Sequence, residues 1–319
     1  MTEEKDTYTL DDLIPEATAL SDISPPARLS VFGDPVDHSL SPQLHNPALQ
    51  ALGIDARYIR VQVTERNFSE ALDLIRARGF LGTNCTIPLK FAALEACDHV
   101  DDLAVKLGAV NTISLEEGKV FGSNSDGPGF LRAIREAFAI DAHDLRIMIL
   151  GAGGGAGRAV TVQCALEAPE RLVLVNRTRE KAESLRAEIA PMLEDEMIHS
   201  ASSRVKVAEW SDAGLEAELG NVDLIVNASS LGMKRSDSAL IPPHLLQPHH
   251  LVYDMVYSPQ RTKLLIDAQS AGARTANGLS MLLHQGAISF ETWFNREAPL
   301  ETMRSSLEAA LGAKDNALS

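Results

Sequence analysis

Cysteine is scarce in this chain. Cys85, Cys97 and Cys164 are all there are, and they show no metal-ligand spacing. They read as reduced, mostly buried thiols. No apolar run approaches the roughly eighteen residues that suggest a membrane helix. The N-terminus has no signal-like segment. The expectation is a soluble, cytoplasmic protein. Positive charge is short as well: 29 Lys and Arg stand against 44 Asp and Glu, a net charge of −15. Nucleic acid and anionic membranes are therefore poor partners. An anionic small molecule would need a local cationic pocket instead. The chain has no internal repeat and no low-complexity tract.

What is present is enough apolar matter for two cores. The chain has 319 residues, 45% of them hydrophobic and 23% charged. Its clearest stretch runs from Arg146 to Arg179. An apolar run at 146–150 leads into Gly151, Ala152, Gly153, Gly154, Gly155, Ala156 and Gly157. A helical segment from Ala159 follows, Pro169 breaks it, and a second apolar run ends at Asn176. This is a βαβ unit with a dinucleotide fingerprint at its first turn. Gly151 permits the tight turn, and Gly153 lets backbone approach a pyrophosphate. The next helix offers N–H groups and its positive dipole end. The pattern puts Ala156 at the third glycine position, so the loop reads as one glycine too long.

The end of the second strand indicates which dinucleotide. Asn176, Arg177, Thr178 and Arg179 stand there, with Lys181 beyond, and no carboxylate precedes Glu180. Cations and small polar groups suit a 2′-phosphate, which an acid would repel. The sequence predicts NADP rather than NAD.

Residues 1–27 are acidic and proline-containing, with Leu10, Leu13, Ile14 and Leu20 able to form a short helix lying on the body; a flexible arm is the alternative. A first strand (28–33) leads to His38-Ser-Leu-Ser-Pro42 and a helix to Leu52. Ser39 and Ser41 read either as helix caps or as hydroxyls presented to a ligand carboxylate. A third strand covers 80–87. Its alternation sets Asn84 and Thr86 on a polar face and Cys85 in packing. Lys90 opens the next helix, where the dipole disfavours its charge. A lysine so placed is a surface residue or a general acid or base. Asn111 reads as a turn amide or a ligand contact. Asp126 sits in a turn before a helix at 130–138, as a cap or a functional acid.

The later segments fit a nucleotide domain. A charged helix is expected over Arg179–Glu194, and strands over 205–208, 222–227 and 251–256. Asn227 ends one of these strands. The loop after it carries Ser229, at the carboxyl end where open α/β sheets bind ligands. Residues 276–278 read as a turn. The apolar helix 279–293 carries a polar Gln285 that must find partners.

His-Ser-Leu-Ser-Pro (38–42), Asn-Cys-Thr-Ile-Pro-Leu-Lys (84–90), Gly-Ala-Val-Asn-Thr (108–112) and Asn-Ser-Asp-Gly (124–127) resemble the shikimate dehydrogenases. So do Asn-Arg-Thr (176–178), Tyr-Asp-Met-Val-Tyr (253–257) and Gly-Leu-Ser-Met-Leu-Leu-His-Gln (278–285), in the same order. The resemblance covers about residues 29–310. It implies reduction of 3-dehydroshikimate to shikimate with NADPH, on the route to aromatic amino acids. It implies Lys90 and Asp126 as the catalytic pair. Ring oxygens would be held by Asn84, Thr86, Asn111, Asp126 and Gln285, and the carboxylate by Ser39, Ser41 and Tyr257. The nicotinamide contacts fall on Met255, Gly278 and Met281, and a cofactor-linked acid on Asp102. The chain departs from the family in its N-terminal extension, its long glycine loop, and Cys85 in an aliphatic position.

The expected fold is α/β. A Rossmann-like NADP domain (129–277) joins a discontinuous, mostly parallel α/β substrate domain (28–128 and 278–319), preceded by an extension (1–27). The substrate is expected between them, and the protein as a monomer or homodimer. The rival readings are a quinate/shikimate dehydrogenase and a non-catalytic NADP-binding regulatory protein.

Overall fold

A computed structural model describes residues 5–317, apart from Asp22, Asp144, residues 194–203 and Arg235. The chain divides into two compact units, Met1–Ser125 with Gln285–Ser319, and Asp126–His284.

The first unit opens with α1 (Leu10–Leu13) and β1 (Ala27–Gly33). Then come α2 (Ser41–Ala51), β2 (Arg57–Gln62), α3 (Phe68–Ala77), β3 (Gly82–Cys85) and α4 (Lys90–Ala96). After them come β4 (His99–Val100), α5 (Asp102–Leu107), β5 (Thr112–Glu116) and β6 (Lys119–Ser123). The strands form one sheet in the order β2-β1-β3-β5-β6-β4. β1 pairs parallel with β2 and β3, and β4 with β6. The β3–β5 and β5–β6 pairings are antiparallel. Period-2 alternation decides the faces. Cys85 packs with Phe32, Ile59, Val61 and Ile113 in a dry core, and burial pushes its thiol well above the ordinary range. Asn84, one residue earlier, takes the opposite face.

The segment before β1 is docked. Tyr8 bridges to Val61 in parallel register. Its N–H donates to Arg60 O at 2.9 Å, and its carbonyl accepts from Gln62 N at 2.8 Å. It therefore covers the outer edge of β2, whose backbone groups would otherwise be open to pairing. Leu13 and Leu20 are buried, whereas Ile14, expected on the same face, is exposed. Arg78 fastens the end of α1 by donating to the carbonyls of Leu13, Ile14 and Ala17. Between the two readings of this segment, a helix on the body is the one found.

The second unit begins at α6 (Asp126–Phe138) and continues through β7 (Arg146–Leu150), α7 (Gly155–Leu166), β8 (Arg171–Val175) and α8 (Arg179–Ile189). It goes on with β9 (Val205–Ala208), α9 (Asp212–Leu219), β10 (Leu224–Asn227), β11 (Leu251–Asp254), α10 (Lys263–Ser270) and β12 (Arg274–Asn277). Its sheet is wholly parallel, in the order β12-β11-β10-β7-β8-β9. β7 and β10 are neighbours from which the chain winds outward in opposite directions. That gap is the topological switch point of a doubly wound sheet. Ile147 to Leu150 are fully buried, as strands covered on both faces require.

The chain closes with α11 (Leu279–Phe294) and α12 (Leu300–Ala317). In α12, Met303, Leu307 and Leu311 recur every fourth residue and are buried, making the stripe by which α12 packs on α2.

Several boundaries differ from expectation. Residues 276–277, read as a turn, end β12, an outer strand that is only half-buried and so lacks an apolar signature. Asp126 is the first residue of α6 rather than part of a turn before it; Pro128 is compatible with a first helical turn. α8 stops at Ile189, and the expected end at Glu194 lies outside the described residues.

Candidate active site

In the second unit, the glycine loop shows which of its glycines the fold needs. Gly151 has φ +83°, and a Cβ there would lie 2.8 Å from Ser229 N. At Gly153 a Cβ would approach Lys181 Cβ to 2.8 Å, so that glycine serves the neighbouring α8 start. At Gly157 it would run into the Gly151 carbonyl. The third essential glycine is thus Gly157, not the position of Ala156, and the spacing is Gly-x-Gly-x-x-x-Gly. Gly154 meets only Gly151 O, at 3.4 Å, and Gly155 meets nothing within 4 Å. Those two leave an open cradle at the head of α7, where first-turn N–H groups favour an anion. Ala152 is buried beside them. A pyrophosphate fits this cradle.

The β8–α8 junction borders the loop. Asn176 Oδ1 accepts from Gly153 N at 3.2 Å, and its Nδ2 donates to Thr178 O at 2.8 Å. Thr178 caps α8 by position without a side-chain bond. Arg179 is engaged by Glu183 at 3.2 Å and Glu209 at 3.3 Å. Among the described residues, Arg177 and Lys181 have no such carboxylate partner. Of the three cations at this junction, Arg179 is the one held by carboxylates among the described residues.

Asn227 is spent internally. It donates to Leu231 O at 3.0 Å and Asp254 Oδ1 at 2.8 Å, and accepts from Ser229 N at 3.0 Å and Ser229 Oγ at 2.7 Å. It shapes the loop after β10 and, with Ser229, backs Gly151. Asp254, which the sequence did not single out, is fully buried. Its Oδ2 accepts from Thr262 Oγ1 at 2.6 Å. Burial raises its carboxyl above the usual range, and hydrogen bonds from Thr262, Val256 and Asn227 oppose that. Met255 is half-buried just past β11, and a Cβ on Gly278 would strike its carbonyl. Met281 is buried, with its N–H donating to Tyr253 Oη at 3.2 Å. Tyr257 is half-buried, and Asp126 is buried at the first turn of α6.

In the first unit, the Ser39 and Ser41 hydroxyls lie 3.1 Å apart. The α2 N-cap is Leu40, which has no side chain to cap with, although Ser39 Oγ accepts from Ser41 N at 3.3 Å. The two hydroxyls converge at the start of an eleven-residue helix. Behind them runs a buried polar row. Tyr58 donates to Asn84 Oδ1 at 2.8 Å; Asn84 Nδ2 reaches Asn111 O, Thr112 Oγ1 and Ser289 Oγ at 3.0–3.1 Å. Asn111 Nδ2 donates to Ser125 Oγ at 3.0 Å, and Ser125 Oγ lies 3.5 Å from Gln285 Oε1. Asn84, Asn111 and Gln285 are thus linked in one network with Ser125 and Ser289. Tyr58, Ser125 and Ser289 were not identified from the sequence. Tyr58 carried a strand-alternation signal, and Ser125 sat inside the 124–127 motif; Ser289 had no local cue.

Thr86 is half-buried beyond β3, its N–H donating to Phe32 O at 2.9 Å. Lys90 is the half-buried first residue of α4. Asp102 is exposed on the first turn of α5, where Asp101 does the capping through Ala104 N at 2.6 Å. Among the described residues, no group of three or more potential metal ligands occurs, and no helix is long and apolar enough to cross a membrane.

Residues 31–113 match the shikimate dehydrogenase substrate binding domain, and residues 278–308 the shikimate 5′-dehydrogenase C-terminal domain. The chain is 41% identical to the shikimate dehydrogenase (NADP(+)) of Moorella thermoacetica, covering 89% of this chain and 94% of that one. Identity to the Methanopyrus kandleri protein of the same name is 38%, over 88% and 94%. The fold is similar to shikimate 5-dehydrogenase from Thermus thermophilus, solved with NADP(H) and shikimate. That match has a TM-score of 0.77 and 34% identity, over 89% of this chain and 100% of that one.

Proposed function

The chain belongs to the shikimate dehydrogenase family, and from that premise we propose that it interconverts 3-dehydroshikimate and shikimate with NADP(H). The observation that carries this reading is the pairing of Ser39 and Ser41 hydroxyls, 3.1 Å apart, in the unit that also holds the hydrogen-bonded Asn84–Asn111–Gln285 row. That is a set of neutral donors and acceptors suited to a hydroxylated carboxylate. In this assignment Ser39, Ser41 and Tyr257 hold the carboxylate. Asn84, Thr86, Asn111 and Gln285 hold ring oxygens. Asn84 and Asn111 are already bonded within the protein, so their rotamers are pre-set for the ligand.

NADP is held by the open face of Gly154 and Gly155, by the loop Gly151–Gly153, and by Asn176, Thr178, Arg177 and Lys181. Asn227 and Ser229 act by shaping the loop beside Gly151. Met255, Gly278 and Met281 flank the nicotinamide, and Asp102 is assigned the cofactor-linked acid. When bound, the cofactor supplies the hydride. The protein's part is the proton. The Lys90 ammonium stabilises negative charge growing on the carbonyl oxygen and delivers a proton to it. Asp126 is assigned as the other member of the catalytic pair, accepting from a neighbouring substrate hydroxyl. Chemistry on small soluble metabolites suits a cytoplasmic enzyme, as monomer or homodimer.

The test is direct. Purified protein with NADP and shikimate should raise absorbance at the nicotinamide band, while quinate or NAD in place of either partner should give far less. Lys90→Ala should abolish turnover and leave NADP affinity within about twofold. No turnover of shikimate by the wild type overturns the reading; turnover retained by Lys90→Ala removes only the proton role.

A further inference from the structure

Arg60 stands on β2 with its side chain almost wholly buried, at 8% exposure. Its donors reach oxygens on the Ser39–Gln43 stretch and on the N-terminal segment. Nε donates to Ser39 O at 2.8 Å, Nη2 to Gln43 Oε1 at 2.8 Å, and Nη1 to Asp6 O at 3.2 Å. The first two partners bracket the Ser39–Ser41 turn from behind. Holding the Ser39 carbonyl inward fixes the peptide that carries the hydroxyl, and Gln43 fixes the first turn of α2. The third partner lies in the N-terminal segment ahead of α1. That segment also grips the backbone of the same strand, through Tyr8 N to Arg60 O and Gln62 N to Tyr8 O. The guanidinium is planar and donates in fixed directions, so three oxygens around it define one geometry.

A cavity of about 320 Å³ lies beside this junction, lined among others by Lys5, Asp6, Gln43, Asn46, Arg57 and Arg60. The contact between Arg60 and the Asp6 carbonyl therefore borders open space on one side. Several of the cavity's polar groups are already engaged within the protein. Lys5 pairs with Asp12 at 2.7 Å, and Asn46 bonds the Tyr58 backbone at 2.8 and 3.0 Å. It reads as the seam of a clamp rather than as a ligand site.

We propose that Arg60 is a positioning residue for the carboxylate-binding turn, and that the N-terminal segment completes the clamp through the Asp6 carbonyl. This rests on the carboxylate role assigned above to Ser39 and Ser41. The clamp acts on substrate affinity and leaves hydride transfer and cofactor binding alone.

Three variants of the full-length enzyme test it: Arg60→Met, Arg60→Lys, and deletion of residues 1–7, which spares the Tyr8 pairing and α1. Loss of the charged donor should raise KM for shikimate about tenfold, the scale of one charge-assisted bond. Both kcat and the KM for NADP should stay within about twofold. Arg60→Lys, still able to donate to Ser39 O, should restore much of the affinity. The deletion should raise the same KM roughly threefold, and add nothing to Arg60→Met, because both cut one clamp. Hydrogen exchange at the amides of residues 39–44 should quicken in Arg60→Met and in the deletion. Unchanged exchange, or KM for NADP rising in step with that for shikimate, overturns the clamp. If Arg60→Met does not fold, Arg60→Lys and the deletion decide it. If the wild type fails to turn over shikimate, the functional reading falls, while exchange still tests the clamp.

Discussion

Tyr58 and Asn84 stand on strands separated by β1, and the phenol of the first donates to Oδ1 of the second across 2.8 Å. Both side chains are buried. Ser41 also hydrogen-bonds the phenol and partly offsets the burial that pushes its pKa well up. One hydroxyl thus touches both the Ser39–Ser41 turn and the amide row.

Tyr58→Phe keeps the ring and removes that donor, leaving a buried amide oxygen short of a partner. Stability should fall by about 1–3 kcal/mol, read from urea unfolding, and KM for shikimate should rise several-fold. An unchanged midpoint and KM would mean that the donations of Asn84 Nδ2 hold the amide by themselves.

His45 lies four residues after Ser41 with its ring stacked on Tyr58 at 4.4 Å. Among the described residues neither ring nitrogen has a hydrogen-bond partner, and complete burial depresses the imidazole from 6.5 to about 3. The folded form is then neutral, whereas the unfolded chain takes up a proton below about pH 6.5. The unfolded state binds more protons in that window, so stability is full above it and lost as pH falls. The slope is about 1.4 kcal/mol per pH unit, or about 2 kcal/mol between pH 6.5 and 5. His45→Phe should keep the stack and flatten the slope by one proton's worth. Parallel slopes for the two proteins would sink the assignment.

The glycine loop predicts opposite outcomes two residues apart. Gly157→Ala places a methyl against the Gly151 carbonyl and should destabilise the nucleotide unit by about 1–3 kcal/mol. Gly155→Ala meets nothing within 4 Å and should stabilise the unliganded protein by about 0.4–1 kcal/mol. It should also weaken NADP, since the methyl occupies the cradle. Calorimetry with and without NADP distinguishes them; equal NADP affinity for Gly155→Ala and wild type would mean that the cradle does not face the pyrophosphate.

Arg177 is exposed, and among the described residues it has no carboxylate partner. Arg177→Ala should raise Kd for NADP about tenfold or more and leave NAD within about twofold, as loss of a charge-assisted phosphate contact requires. Arg179→Ala, whose charge already faces Glu183 and Glu209, should do much less. Equal losses for both cofactors would remove the 2′-phosphate assignment.

Much of the fold is written locally. Strand alternation assigned Cys85 to packing and Asn84 to the polar face, and the apolar runs at 147–150 and 172–175 lie fully buried at the centre of a parallel sheet. Where the local signal was thin, the reading slipped. β12 is half-buried and its four residues, Arg-Thr-Ala-Asn, carry no apolar run. The glycine register was misplaced by one because spacing alone cannot say which Cα another backbone touches. Only the approach of Gly157 to the Gly151 carbonyl settles that.

Residue order by itself determined the α/β class, the dinucleotide loop, the basic junction after β8 and the family motifs. Each is a matter of neighbours within a few positions and the period of one element. Only tertiary structure decided that Tyr58 speaks for Asn84, that Ser289 joins an amide 205 positions before it, and that Arg60 ties the N-terminal segment to the Ser39 turn. Those are contacts between residues far apart in the chain, where geometry rather than spacing selects the partner. A buried polar group takes whichever partner the packed elements bring within hydrogen-bond reach.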